Sequence, residues 1–218
     1  MKTQLNKKKV IIFDVDGVIL DSIDLVRKDL LQRHPSMTEE EFKEIFTENF
    51  WTGLSKFKEK FSIKELSQEE KNHREAQRLM TRDSIKVFDG MKEFLEQASK
   101  KYILVINSSG YKEHIEIPLR ASGVLSFFDF VASKEISVDK TEKINFILEK
   151  YIASPNEVVF ITDTIGDIFD SDNAGIDSIA VTWGVHKRFD FEKQKFNQLL
   201  DIVDDIDDLS EKILSESK

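Results

Sequence analysis

Five short apolar runs, rich in β-branched residues and closed by polar or turn-forming ones, constrain this chain more than any other feature. They are Val10–Val15, Tyr102–Asn107, Phe128–Ser133, Glu157–Asp163 and Ser178–Gly184. Runs this short and this uniformly apolar read as strands covered on both faces, the usual condition of a parallel sheet. Helical patterns separate the later ones. Met91–Lys101 precedes the second run, and Thr141–Tyr151 sets Ile144, Ile147, Leu148 and Tyr151 on one face. Strands alternating with helices predict an α/β fold with a Rossmann-like parallel sheet.

The first connection breaks that rhythm. About 85 residues separate the first two strands, whereas a strand–helix–strand unit needs only about 30 in total. The excess contains no convincing strand. Two capping boxes punctuate it, Thr38 with Glu41 and Ser67 with Glu70, and Phe42, Ile45, Phe46 and Phe50 follow one another at helical spacing. The expected organisation is a catalytic core of residues 1–21 and 86–218 interrupted by an all-helical cap of residues 22–85. Within the core, the acidic stretch Asp201–Asp208 reads as a solvated turn leading into a final helix.

Composition narrows the function classes. Lys+Arg 32 against Asp+Glu 41 gives a net charge of −9, which disfavours non-specific binding to nucleic acid or to an anionic membrane. There is no cysteine, so disulfides, thiolate catalysis and cysteine-ligated zinc are excluded. The apolar run behind the basic N-terminus stops at Asp14, too short for a signal peptide or a membrane helix. A cytoplasmic protein is expected.

In an open α/β sheet, ligands bind beyond the carboxyl ends of the strands. The first strand ends in Asp14-Val15-Asp16-Gly17, the second in Asn107-Ser108-Ser109-Gly110 and the fourth in Asp163-Thr164-Ile165-Gly166-Asp167; Lys140 opens the helix before the fourth. Four carboxylates with a single lysine cannot all stay ionised at close range. A divalent cation resolves the conflict, and hard oxygen ligands without His or Cys select Mg²⁺. A cation, a lysine and a hydroxyl donor form a receptor for a phosphoryl group. Asp14 can then act as nucleophile, and Asp16 as acid and then base.

These segments resemble the haloacid dehalogenase superfamily, and within it the C1-capped, phosphoglycolate phosphatase-like subgroup. Phe13–Ser22 (FDVDGVILDS) matches the first family motif, VINSSG the second, Lys140 the third and Ile161–Ile176 the fourth; Phe88–Gln97 and Val181–Gly184 are similar to family segments outside the active site. The resemblance implies that Asp14 becomes an aspartyl-phosphate and that Asp16 serves the leaving group and then the water. It implies Mg²⁺ held by the Asp14 carboxylate, the Asp16 carbonyl and Asp163, with Asp167 orienting the metal's waters, and Ser108 and Lys140 on the phosphoryl oxygens. Two positions stay open: Asn107 for Ser108, and Lys143 for Lys140, because Thr141 stands where the family has proline.

The reading is a Mg²⁺-dependent phosphatase acting on a small phosphorylated metabolite. The alternatives are a phosphonate C–P hydrolase, a sugar-phosphate mutase and a non-catalytic binding module. Gly53 and Lys56, in Thr52–Lys56, suggest a cap loop that meets the substrate, and Lys56 raises the C–P reading. A receiver domain is disfavoured because Lys140 precedes Asp163. The cap cations Arg27, Lys28, Arg33, Lys56, Lys58, Lys60, Arg74, Arg78 and Arg82 hint at an anionic substrate.

Overall fold

The computed structural model describes residues 8–63, 67–70, 72, 79 and 82–215. The chain runs β1 (Val10–Phe13), α1 (Ile23–Arg33), α2 (Glu39–Glu44), α3 (Phe50–Lys60), α4 (Met91–Ser99) and β2 (Ile103–Asn107). It continues with α5 (Lys112–Ala121), β3 (Phe130–Ala132), α6 (Lys140–Lys150), β4 (Val158–Thr162) and α7 (Ile165–Ala174). The last elements are β5 (Asp177–Val181), α8 (Arg188–Glu192), β6 (Leu199–Val203) and α9 (Ile206–Leu214). Among the described residues the strands form one six-stranded sheet in the order β3-β2-β1-β4-β5-β6, and every pairing is parallel.

Strand β1 is apolar throughout because both of its faces are covered. Ile11 and Phe13 join the cluster under α4 and α9, while Val10 and Ile12 join the one under α6. Ile144 and Ile147 are buried in that second cluster, with Leu148 and Tyr151 packed against it, as the helical period of this segment requires. The chain order reverses on either side of β1, which pairs with both β2 and β4. A crevice therefore opens where Phe13 and its register partner Ile161 end their strands.

Two sequence expectations need correction. β6 occupies the start of the stretch expected to be a solvated turn. It is an edge strand, half exposed along most of its length, and an edge accepts the outward-facing Asp201, which pairs with Lys212 of α9 at 2.5 Å. Nor do Phe42, Ile45, Phe46 and Phe50 share a helix: α2 stops at Glu44, and Asn49 caps a new one by accepting from the Trp51 amide at 3.1 Å. All four residues nevertheless lie in one apolar cluster with Leu30, Met37, Leu54, Phe57 and Val185. Both capping boxes are present. The Thr38 hydroxyl accepts from the Glu41 amide and the Ser67 hydroxyl from the Glu70 amide, each at about 3.3 Å or less.

Candidate active site

The site lies at the carboxyl ends of β1, β2 and β4, in a cleft of about 420 Å³ whose other wall comes from α1 and the α2–α3 turn. Asp14 follows β1 directly and is 8% exposed. One carboxylate oxygen accepts from the Val15 amide at 2.8 Å, and the other lies 2.9 Å from Lys140 Nζ. Lys140 is the first residue of α6, a helix capped by the Asp139 side chain. Its ammonium also donates to Asp167 at 2.7 Å. Asp167 lies in the first turn of α7, where Thr164 is the cap, and accepts from the Thr162 hydroxyl at 2.6 Å.

Burial pushes the Asp14 carboxyl well above the ordinary aspartate range, against the pull of Lys140, and the charges of Asp167 and Asp163 push the same way. Lys140 is raised in turn: burial disfavours its charge, but Asp14 and Asp167 outweigh burial. Two carboxylates thus share one ammonium.

Asp163 is fully buried. Its Oδ2 accepts from the Val185 amide at 2.7 Å, while Oδ1 has no partner among the described residues. Burial, reinforced by Asp167, raises its carboxyl despite the Val185 hydrogen bond and Lys140. Two glycines make room for it. A Cβ on Gly17 would stand 2.2 Å from its Oδ2 and one on Gly184 only 2.0 Å, and Gly17 also holds a left-handed φ of +80°. Gly184 belongs to Val181–Gly184, placed outside the active site from sequence; the structure sets it against Asp163.

Asp16 is gripped from two sides. The Ser22 hydroxyl donates to its Oδ1 at 2.6 Å and Arg82 Nη1 at 3.2 Å. Burial alone would raise this carboxyl, but Arg82, Ser22 and Lys140 together hold it below the ordinary range. Ser22 entered only as the last residue of the first motif, with no role, and Arg82 counted only as one of many cap cations. A pairing this distant along the chain leaves no local signal.

The two open positions differ in geometry. Ser108 lines the cleft, its hydroxyl accepting from the Gly110 amide at 3.1 Å. Asn107 is fully buried behind it and donates to the Lys140 carbonyl at 3.2 Å. Lys143, one turn deeper in α6, donates to the Ser108 carbonyl at 2.7 Å and is lowered by burial to about 8.

Thr52–Lys56 is not a loop. Gly53 and Lys56 lie inside α3, away from the cleft lining. Gly53 is present because a Cβ there would stand 2.1 Å from the Ile45 carbonyl oxygen, and Lys56 is exposed and paired with Glu48 at 2.7 Å. The segment that meets the core lies just before it. The Gly166 amide donates to the Phe46 carbonyl at 3.0 Å, Asn49 Nδ2 to the Val138 carbonyl at 2.7 Å and Trp51 Nε1 to the Ser109 carbonyl at 3.0 Å.

Most of the described cap cations are similarly committed. Arg27 pairs with Asp24 and Glu39, Arg33 with Asp29, and Lys60 lies near Glu41 and Glu44. Arg74 and Arg78 lie outside the described residues. Among the described residues no helix is long and apolar enough to cross a membrane.

The chain resembles known proteins over most of its length. It is 22% identical to the pyrophosphatase PpaX of Bacillus mycoides over 92% of this chain and 95% of that one. It is 26% identical to the phosphoglycolate phosphatase of Synechococcus elongatus over 48% and 50% of the two chains. Its fold matches that of CbbY from Rhodobacter sphaeroides, solved in complex with phosphate, with a TM-score of 0.71 at 17% identity over 94% and 96% of the chains. A haloacid dehalogenase-like family hydrolase of Streptococcus pneumoniae matches with a TM-score of 0.69 at 19% identity, over 90% and 94%. The sequence profile of haloacid dehalogenase-like hydrolases covers residues 11–181. That span holds the sheet from β1 to β5 and the Asp14, Asp16, Ser108, Lys140, Asp163 and Asp167 positions, and the chain belongs to this hydrolase family.

Proposed function

We propose that the protein is a Mg²⁺-dependent phosphatase that hydrolyses the phosphate monoester of a small metabolite through an aspartyl-phosphate on Asp14. One observation carries the reading: Lys140 bridges Asp14 and Asp167 at the floor of a cleft that also presents Ser108. The names of the relatives, phosphoglycolate phosphatase and pyrophosphatase, support phosphoryl transfer to water.

In this reading an Asp14 oxygen attacks phosphorus while Asp16 gives a proton to the departing alcohol oxygen. Asp16 then takes a proton from water, whose oxygen attacks the acyl phosphate, and inorganic phosphate leaves as Asp14 is restored. Lys140 and Ser108 hold phosphoryl oxygens. The residues suit a hard divalent cation: Asp163 keeps an unpartnered buried oxygen beside the raised carboxyl of Asp14. Asp14, Asp163 and the Asp16 carbonyl would hold it, with Asp167 close by. Because one of these donors is a main-chain carbonyl, the set needs no cluster of three acidic side chains, and none stands among the described residues. When bound, the cation supplies the positive charge that several acids and a phosphate together demand.

We take residues 22–85 as the cap and residues 1–21 with 86–218 as the core. The net charge of −9 and the absence of cysteine favour a cytoplasmic enzyme with neither nucleic acid nor membrane as partner. The C–P hydrolase reading loses its support, because Lys56 is exposed and paired with Glu48.

Phosphate release from acetyl phosphate and p-nitrophenyl phosphate tests the reading. Asp14→Asn should abolish turnover with the fold intact, and Asp16→Asn should lower it by about 10²–10⁴. Substantial activity in Asp14→Asn, judged after the protein's folding is verified by circular dichroism, would refute the mechanism.

A further inference from the structure

The two ends of the cleft differ in chemistry. One end is the charged floor of Asp14, Ser108, Lys140 and Asp167. The facing wall is apolar, and its centre is aromatic: Phe46, Phe50 and Trp51, backed by Val26, Leu30 and Val185. The Phe46 and Phe50 rings lie 5.4 Å apart, and Phe50 meets Trp51 edge to face at 5.2 Å. These rings stand at a fixed offset from the floor. Gly166, next to Asp167, donates its amide to the Phe46 carbonyl at 3.0 Å. Trp51 Nε1 donates at 3.0 Å to the carbonyl of Ser109, the residue after Ser108.

Among the described residues most of the positive charge near this wall is already engaged, and Lys134 Nζ lies 3.3 Å from the centre of the Trp51 ring. Of the cations lining the cleft, Arg33 is paired with Asp29, Arg82 with Asp16, and Lys140 with Asp14 and Asp167. Lys28 is exposed at the rim, and the carboxylates of Asp29 and Glu48 also line the space. A carboxylate or a second phosphate set against the rings of Phe46 and Phe50 would lose its hydration to an apolar surface. An aromatic ring there buries apolar surface and meets the rings in the offset or edge-on geometries they favour.

We infer that the substrate is the phosphate monoester of an aromatic alcohol, its ring held by Phe46, Phe50 and Trp51. The inference rests on the phosphatase reading and names its substrate class.

Benzyl phosphate and ethyl phosphate test it, because their alcohols are of similar acidity and differ in the ring. 2-Phosphoglycolate and pyrophosphate add the charged leaving groups, and acetyl phosphate reports the phosphoryl chemistry alone. For the wild-type protein, kcat/KM for benzyl phosphate should exceed that for ethyl phosphate, 2-phosphoglycolate and pyrophosphate by about tenfold or more, the discrimination an apolar contact provides. The benzyl-to-ethyl ratio should fall to within about threefold in both Trp51→Ala and Phe50→Ala. Because a ratio is read, partial loss of folded enzyme does not blur the result. Acetyl phosphate turnover with ethyl phosphate or an anionic substrate matching benzyl phosphate would overturn the inference and leave the phosphatase reading standing. A ratio that survives both substitutions would also overturn it. Failure to turn over acetyl phosphate would overturn the phosphatase reading, and this inference with it.

Discussion

Arg82 donates to Asp16 from a position 66 residues further along the chain, and Ser22 completes the grip at 2.6 Å. A carboxyl so held is oriented and biased toward its ionised form. Removing the guanidinium takes away the largest influence opposing burial, so in Arg82→Ala the Asp16 carboxyl should titrate at higher pH. Asp16 must carry a proton to serve the departing alcohol, so the basic limb of the kcat/KM profile should move up accordingly, with kcat lowered by up to about 10² as orientation is lost. A pH–rate profile on ethyl phosphate, whose leaving alkoxide needs the proton, checks the direction, and an unmoved limb counts against Arg82 as a positioning residue. At this scale the sequence was partly legible. Asp14, Asp16, Asp163 and Asp167 announced themselves because each follows an apolar strand within a few residues. Lys140 and Lys143 could not be separated, since both lie near the start of one helix. Only the packed register shows that the first reaches Asp14 and the second the Ser108 carbonyl. Arg82 and Ser22 were illegible as partners, because their common contact depends on how the whole inserted segment returns to the sheet.

Helix α7 and the α2–α3 turn meet backbone to backbone at Gly166. A Cβ on Gly166 would meet the Glu48 carbonyl oxygen at 2.3 Å, as one on Gly53 would meet that of Ile45 at 2.1 Å. Neither neighbour is a flexible side chain that could swing away, so Gly166→Ala and Gly53→Ala should each destabilise by about 1–3 kcal/mol. In thermal melts this amounts to roughly 2–4 °C per kcal/mol for a chain of this size. Gly166→Ala should also lower activity, because it pushes the aromatic turn off the helix that carries Asp167. From sequence Gly53 signalled a reversal; the close approach that demands it involves a residue of another element, which a local reading cannot contain. The opposite expectation holds at Asp170 of α7. Burial, reinforced by Asp167, raises its carboxyl to about 7, and Oδ2 lacks a partner among the described residues while Oδ1 accepts from Thr141 at 2.8 Å. Its folded state therefore holds a proton more tightly than the unfolded chain does. Stability is lost as pH rises from about 4 through about 7. Asp170→Asn keeps the oxygen that Thr141 uses and removes the buried charge, so it should stabilise by about 1–3 kcal/mol at pH 8. Little gain is expected at pH 5, and melts at the two pH values distinguish this from a pH-independent packing effect.

Across the whole molecule, the sheet gathers like charges that the sequence keeps far apart. Five of the six strands were legible because each is apolar on both faces. The sixth was not, because an edge strand carrying Asp201 lacks that pattern. Their order, β3-β2-β1-β4-β5-β6, sets Asp14 and Asp163 at the ends of adjacent strands. The fold then sets Asp14 and Asp167 on one ammonium, with Asp163 buried beside them. Burial raises Asp14 and Asp163 above their ordinary values, so each binds a proton more tightly folded than unfolded. The sign follows directly: metal-free stability should decline as pH rises from about 4 toward neutrality and these protons are lost from the folded state. A divalent cation competes with the same protons and should therefore stabilise most where they are gone. At about 100 times its dissociation constant, Mg²⁺ should add about 3 kcal/mol, or roughly 5–10 °C in Tm for a chain of this length. The increment should be larger at pH 8 than at pH 5.5. In Asp163→Asn it should shrink toward zero, while the metal-free protein melts higher at pH 8 because one buried charge is gone. Scanning fluorimetry in Mg²⁺ and in EDTA, at both pH values and on both proteins, reads all of this without any assay of turnover. An increment equal at the two pH values, or one that survives in Asp163→Asn, would place the cation somewhere other than among these carboxylates.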